Sequence, residues 1–288
     1  MIILPVGVDF QANRYPVVTF SIIGINVVVF AGQLAAYFSG AGNEIYMTFG
    51  LVPAHHGFWA WITSMFMHGG WLHLIGNMIY LFLFGSCVED LMGRKKFAAF
   101  YLVGGFVASF IQVMFSTALT EDIPIIGASG AISACIGAFL IMLPKTGIHF
   151  RYLIFWFYSG EFWVRSWIVI VIWFLLDLLS MVIELATAHD GAGGVAFGAH
   201  VGGTIAGALM MMALRKMSSE RVIKAVPEVL IPEDPPGTPP VYLSVDGNQT
   251  GPFPPSSVRS MLHLGAISAS NAYYWREDMP EWRPVSEL

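Results

Sequence analysis

Charge is what this sequence has least of. Only 11% of its 288 residues are Asp, Glu, Lys or Arg, against about 25% in ordinary soluble domains. A soluble chain with 56% hydrophobic residues and mean hydropathy +0.67 would have too little polar surface to stay dispersed. The deficit points to a polytopic membrane protein. Cysteine is scarce too. Cys87 and Cys135 lie in apolar stretches without metal-ligand spacing and are read as small buried residues. No basic stripe exists to grip nucleic acid, so nucleic acid is not an expected partner. No HExxH motif is present, and His55, His56, His68 and His73 do not share one helical face, so neither a metal nor another cofactor is expected. The first 16 residues contain Asp9, Gln11, Asn13 and Arg14 and lack the basic-then-apolar order of a cleavable signal. The first apolar segment is therefore read as a retained span.

What the chain does have is long apolar runs. A transmembrane helix needs roughly 20 apolar residues, and six segments qualify or nearly so: 17–37, 72–87, 97–119, 126–143, 163–185 and 193–214. The second and fourth are short. Basic residues sort the intervening loops. Arg14, Arg94, Lys95, Lys96, Lys145, Arg151, Arg165, Arg215, Lys216, Arg221 and Lys224 all fall on one side, and the alternate loops 38–71, 120–125 and 186–192 carry none. By the positive-inside rule both termini are cytoplasmic. Even-numbered spans then start at the outer face, and the lipid bilayer is the expected surrounding. Phe58-Trp59-Ala60-Trp61 favours the interface, so part of the first loop is expected in or against the outer leaflet.

Two polar residues in these runs invite chemistry. Ser129 sits in Gly127-Ala128-Ser129-Gly130 at the outer start of the fourth segment, and His200 lies 71 residues later in the sixth. A serine between glycines is by default a packing residue, and an intramembrane ionisable group is by default a functional hypothesis. Spacing favours the second reading here. Ser129, Ser133 and Gly137 recur every four residues, and His200, Gly203 and Gly207 share one face of their own helix. Two such small-residue faces let backbones approach closely enough for His200 to serve Ser129 as the base a serine nucleophile needs. His73 and Asn77, four apart at the outer start of the second segment, could supply N–H donors to an oxyanion, each worth about 3–4 kcal/mol in acyl transfer. The backbone N–H of Ser129 is another donor. A G-x-S-x-G elbow is excluded because position 131 is Ala.

His68-Gly69-Gly70-Trp71-Leu72-His73-Leu74-Ile75-Gly76-Asn77, Gly127-Ala128-Ser129-Gly130 and Ala199-His200-Val201-Gly202-Gly203-Thr204-Ile205-Ala206-Gly207 resemble the three signature blocks of the rhomboid family of intramembrane serine proteases. Gly85, Glu89 and Gly93 also fit its pattern, and the resemblance covers about residues 15–215. It implies an all-α, six-helix membrane bundle over residues 1–216 and a bacterial inner membrane setting. The implied partners are transmembrane protein substrates, entering laterally near the second and fifth spans and cut near the outer face. Ser129 matches the nucleophile, His200 the general base, and His73 and Asn77 the oxyanion donors; Gly137, Gly203 and Gly207 are left to helix packing. The family's Ser-His dyad has no carboxylate third member, and none recommends itself in this sequence. Two departures stand out. Ser133 occupies the position where the family often has a Tyr packed on the base, so another group must fix the imidazole. The Trp-Arg pair common in the first loop is missing.

Ser109, Gln112 and Ser116 share a face of the third segment, on which Gln112 either retains catalytic water or makes an ordinary interhelical hydrogen bond. Asp177, deep in the fifth segment, is read as a protonated or cavity-facing side chain in place of an ion path. Residues 217–240 form a proline-rich linker. Residues 241–288 follow as a small α+β soluble module, with strand-like 241–245, the turn Asp246-Gly247 and a helix over 256–264. Tyr242, Gly251-Pro252-Phe253, Gly265-Ala266-Ile267 and the stretch from Trp275 to Trp282 resemble a GYF-like domain. That resemblance implies proline-rich peptide partners, with Pro235-Pro236-Gly237 as a tethered competitor; the plainer reading makes the tryptophans simply the module's core. Two other readings of the whole chain exist: a non-catalytic membrane-protein binding or trafficking factor on the same scaffold, and a transporter. The second predicts more intramembrane charge and repeated halves.

Overall fold

The computed structural model describes residues 2–10, 12, 14–118, 120–154, 158–187, 195–224, 234–235, 237–263 and 267–288. The chain divides into a membrane unit, Met1–Met212, and a second unit, Ala213–Leu288. Among the described residues, five helices are long and apolar enough to cross a bilayer: Val17–Phe38, Trp71–Met92, Arg94–Met114, Ser166–Ala186 and Phe197–Leu214. The last is the apolar part of a helix running to Lys224.

The helix between the third and fifth spans, Ser129–Met142, is different. At 14 residues it is about 21 Å long, too short for a hydrocarbon core of roughly 30 Å. It compensates by being enclosed, with every residue from Gly130 to Phe139 buried. The second span, which hydropathy alone shortens to Cys87, continues through a π-helical turn at Leu81–Gly85 to Met92. Gly93, at φ +80°, ends it in a conformation that favours glycine, and the third span begins at Arg94. That third span stops at Met114, five residues before the limit set by hydropathy.

Glu89, 2% exposed, fastens the first two spans. Pro16 offers the first helix no side-chain cap. The Glu89 carboxylate takes its place, accepting the N–H groups of Val18 at 2.9 Å and Thr19 at 2.7 Å and the Thr19 hydroxyl at 2.8 Å. An anion at a helix N-terminus is stabilised by both the orphan donors and the macrodipole.

The loop after the first span is folded into the site. Gln33 holds His68 from both sides, its Oε1 accepting the His68 N–H at 3.0 Å and its Nε2 donating to the His68 carbonyl at 3.1 Å. Leu51 bridges to Ile125 and is fully buried. The Gly127 N–H donates to the Ser64 carbonyl at 2.9 Å. These bonds anchor the segment that leads into Ser129.

One element of the membrane unit escapes the hydropathy reading. β1 (Ile2–Val8), β2 (Gly147–Ile154) and β3 (Tyr158–Arg165) form an antiparallel sheet in that order. The fifth helix consequently starts at Ser166, not at Trp163, which is a β3 residue stacked on His149. Ser166 is buried and donates its hydroxyl to the Leu143 carbonyl at 2.7 Å, closing the corner.

In the second unit, β4 (Val241–Val245), β5 (Asn248–Phe253), β6 (Ala272–Trp275) and β7 (Arg283–Pro284) form a sheet in the order β5-β4-β6-β7. The turn at Asp246 and Gly247 has positive φ at both residues, as a two-residue hairpin requires. The helix Pro255–His263 covers one face. The core is Val241, Leu243, Val258, Met261, Ile267, Ala272, Tyr274 and Val285. The tryptophans are not in it, contrary to the plainer expectation. Tyr242 pairs with Trp275 across the sheet, on the face opposite Val241 and Leu243, because successive strand residues alternate. Trp282 lies 6.4 Å from Trp275, and all three rings are half-buried.

Candidate active site

Gly127 is the hub. Its φ of +122° is a backbone state that L side chains rarely adopt. A Cβ built there would stand 2.8 Å from Nε2 of His73 and 3.8 Å from Oγ of Ser129. The glycine thus keeps open a gap bordered by a hydroxyl and an imidazole. Ser129, half-buried, is the first residue of its helix, where backbone N–H groups have no intrahelical acceptor.

His73 is held in one tautomer by its own turn. Its Nδ1 accepts the Gly69 N–H at 3.3 Å. In the neutral ring the proton is then on Nε2, the atom facing the gap. Beneath it His68 is fully buried, its ring 5.1 Å from that of His73 and edge-on to it. Burial, reinforced by the neighbouring His73, pushes the His68 imidazole down to about 4. His68 therefore stays neutral at ordinary pH. Asn77, one turn below His73, is 8% exposed, and its Nδ2 is a buried donor with no partner among the described residues. Orphan donors of this kind are rare and call for a ligand or a function.

The sixth span meets the Ser129 helix through small residues. A Cβ on Gly137 would lie 2.0 Å from the Thr204 carbonyl oxygen, one on Gly207 2.0 Å from that of Ala134, and one on Gly203 2.4 Å from that of Gly130. No side chain fits between these backbones. At the upper end, a Cβ on Gly130 would stand 3.6 Å from that of Ala199, so the residues adjoining Ser129 and His200 touch. Nε2 of His200 is buried and has no partner among the described residues.

Two further contacts have partners that the sequence does not name. Oε1 of Gln112 accepts the Ala199 N–H at 3.0 Å. The amide oxygen is thus committed to the first turn of the helix that carries His200 and is not turned to solvent. Nδ1 of His200 lies 3.4 Å from Oδ2 of Asp177. Both partners are intramembrane, and their side chains are 18% and 32% exposed. Among the described residues no group of His, Cys, Asp or Glu side chains is arranged to hold a metal ion.

Comparison with known proteins gives this arrangement a family. The Rhomboid domain profile matches residues 55–217, and the GYF domain 2 profile matches 242–288. The putative rhomboid protease YdcA of Bacillus subtilis (strain 168) is 30% identical over 139 residues, 47% of this chain and 67% of that protein. Rhomboid protease GluP of the same organism is 32% identical over 133 residues, covering 44% of this chain and 25% of GluP. The mitochondrial presenilin-associated rhomboid-like protein A of Danio rerio is 36% identical over 84 residues, 29% of this chain and 22% of that one. The aligned stretches thus span about a quarter of the latter two relatives. The profile match covers more than half of the chain and takes in all the site residues named above, from His68 to Gly207: the chain belongs to the rhomboid family.

Proposed function

We propose that this protein is an intramembrane serine endopeptidase that cuts transmembrane segments of other membrane proteins near the outer face of the bilayer. The observation that carries this reading is the gap at Gly127, bordered by the Ser129 hydroxyl and by an imidazole whose proton points into it. In this reading His200 takes the proton of the Ser129 hydroxyl as the oxygen attacks a substrate carbonyl. Charge then develops on the carbonyl oxygen. The Nε2–H of His73, the Nδ2–H of Asn77 and the Ser129 N–H are its donors, at about 3–4 kcal/mol each. His200 returns the proton to the leaving amine, and water completes hydrolysis of the acyl-enzyme. Helix-destabilising residues in the substrate should speed cleavage, because an intact helix keeps its carbonyls hydrogen-bonded.

The asymmetry of basic residues supports an orientation with both termini in the cytoplasm of a bacterial cell and the site near the outer face. In the C-terminal module, the half-buried row of Tyr242, Trp275 and Trp282 supports recognition of proline-rich peptides, a mode that uses aromatic-lined surfaces.

The test is cleavage of a single-span reporter by purified protein in liposomes, comparing wild type with Ser129→Ala and His200→Ala. Loss in both folded variants supports the dyad. Cleavage that survives Ser129→Ala removes the mechanism, and a wild type that binds the reporter without cutting it favours the binding-factor alternative.

A further inference from the structure

Asp177 is the one charged residue in the first 18 positions of the fifth helix, Ser166–Thr187. Such a carboxylate at bilayer depth is unfavourable unless it is paired, protonated or wetted. Here it has a partner. Oδ2 stands 3.4 Å from Nδ1 of His200, on the side of the ring away from the buried Nε2, which has no partner among the described residues. Phe197, edge-on at 6.2 Å on the same helix, is a ring neighbour of His200 and offers the imidazole no acceptor. Ser133 lies along the same helical seam, its Cβ 3.1 Å from where a Cβ of Gly203 would be, and no hydrogen bond joins it to the ring.

Resting on the protease reading above, we infer that Asp177 is a positioning residue for the catalytic base: its carboxylate accepts the Nδ1–H of His200 and so turns the free lone pair of Nε2 toward Ser129. The two ring nitrogens of a neutral imidazole have opposite roles, and a carboxylate at one of them decides the roles of both. When Ser129 passes its proton to Nε2, the ring becomes a cation, and the same carboxylate stands beside it as a counter-charge. The separation of 3.4 Å is at the long end for such a bond. Catalytic hydrogen bonds commonly tighten once substrate is bound. The partner comes from a different span, and the fifth is the least enclosed of the five long ones. The position of that helix and the orientation of the base are therefore one variable.

The experiment compares wild type, Asp177→Asn, Asp177→Glu and Ser129→Ala in liposomes. It measures kcat and KM on a single-span reporter, the rate of Ser129 labelling by a fluorophosphonate, and thermal unfolding. Asparagine keeps the shape and removes the charge and one acceptor. Asp177→Asn is expected to lower kcat by about tenfold or more and to slow labelling in parallel, with KM and unfolding temperature unchanged. Asp177→Glu is expected to recover part of kcat. An Asp177→Asn protein with kcat within about twofold of wild type, while Ser129→Ala is inactive, overturns the assignment and leaves the protease reading standing. So does a parallel fall of kcat and unfolding temperature that Asp177→Glu does not relieve, since that describes a structural residue. A wild type neither labelled nor more active than Ser129→Ala overturns the protease reading itself, and this assignment with it.

Discussion

Gly137 lies against the backbone of Thr204 so closely that a Cβ would come within 2.0 Å of the Thr204 carbonyl oxygen. Backbone cannot yield as a flexible side chain does, so even alanine must push the fourth and sixth helices apart. Overpacking of this kind costs about 1–3 kcal/mol. It also moves His200 relative to Ser129, because both are set by this seam. Gly137→Ala is expected to lower the unfolding temperature and to reduce cleavage more than the loss of folded protein explains. Activity per folded molecule equal to wild type would show that the seam does not set the site.

The spacing behind this seam is visible in the sequence: Ser129, Ser133 and Gly137 repeat every four residues, and Gly203 and Gly207 follow His200 at three and seven on one face of the partner helix. Other features are not. Hydropathy hides the β1–β3 sheet because Trp163 and its neighbours read as the start of an apolar run; they pair instead with the adjacent β2, and the third strand, β1, comes from residues far away in sequence. Hydropathy overextends the Ser129 helix because it marks apolar residues and not where the backbone turns at Gly127. The pairing of Asp177 with His200 joins two helices at a depth that a charge pattern does not report. Tertiary contacts between spans are set by rotation and tilt, and neither is written in a hydropathy profile.

Gln112 joins the third span to the first turn of the sixth by accepting the Ala199 N–H. A Cβ on Gly198 would stand 2.7 Å from the same amide oxygen, so the fit is close. Gln112→Ala removes an acceptor from a helix N-terminus, a loss worth about 1 kcal/mol. The expected result is a modest fall in unfolding temperature together with lower kcat, since the adjoining residue is His200. Gln112→Glu keeps an acceptor and is expected to fall between the two. Loss of kcat with wild-type unfolding temperature in Gln112→Ala would favour the water-retaining role instead.

Glu89 gathers two backbone N–H groups and a hydroxyl at the start of the first span. Glu89→Ala strands the Val18 and Thr19 donors, and hydrogen bonds to charged groups are worth about 1.5–3 kcal/mol each. Glu89→Gln retains one acceptor oxygen and loses the charge. Unfolding of purified protein in detergent should rank wild type above Glu89→Gln and Glu89→Ala lowest. An alanine variant as stable as wild type would mean that the helix end finds other acceptors.

His68 should make stability depend on pH. Its ring is fully buried, with the Phe66 backbone its one weak polar neighbour among the described residues, and its own backbone is pinned by Gln33. Burial first, then the neighbouring His73, lowers its proton affinity to about 4 from the ordinary 6.5. The unfolded chain therefore takes up a proton, between those two values, that the native site refuses. Stability rises with pH wherever the unfolded state binds more protons, so this contribution is fully present above about 6.5 and is lost as pH falls toward about 4. The shift corresponds to about 3 kcal/mol at the low end. Carboxylates elsewhere titrate over part of the same range, so the useful quantity is the difference between wild type and His68→Leu. Leucine removes the titrating group and leaves the Gln33 bonds, which are to backbone. Unfolding midpoints measured from pH 7.5 to 4.5 should fall more steeply for wild type than for His68→Leu. Parallel slopes would show that His68 accepts its proton without unfolding the site.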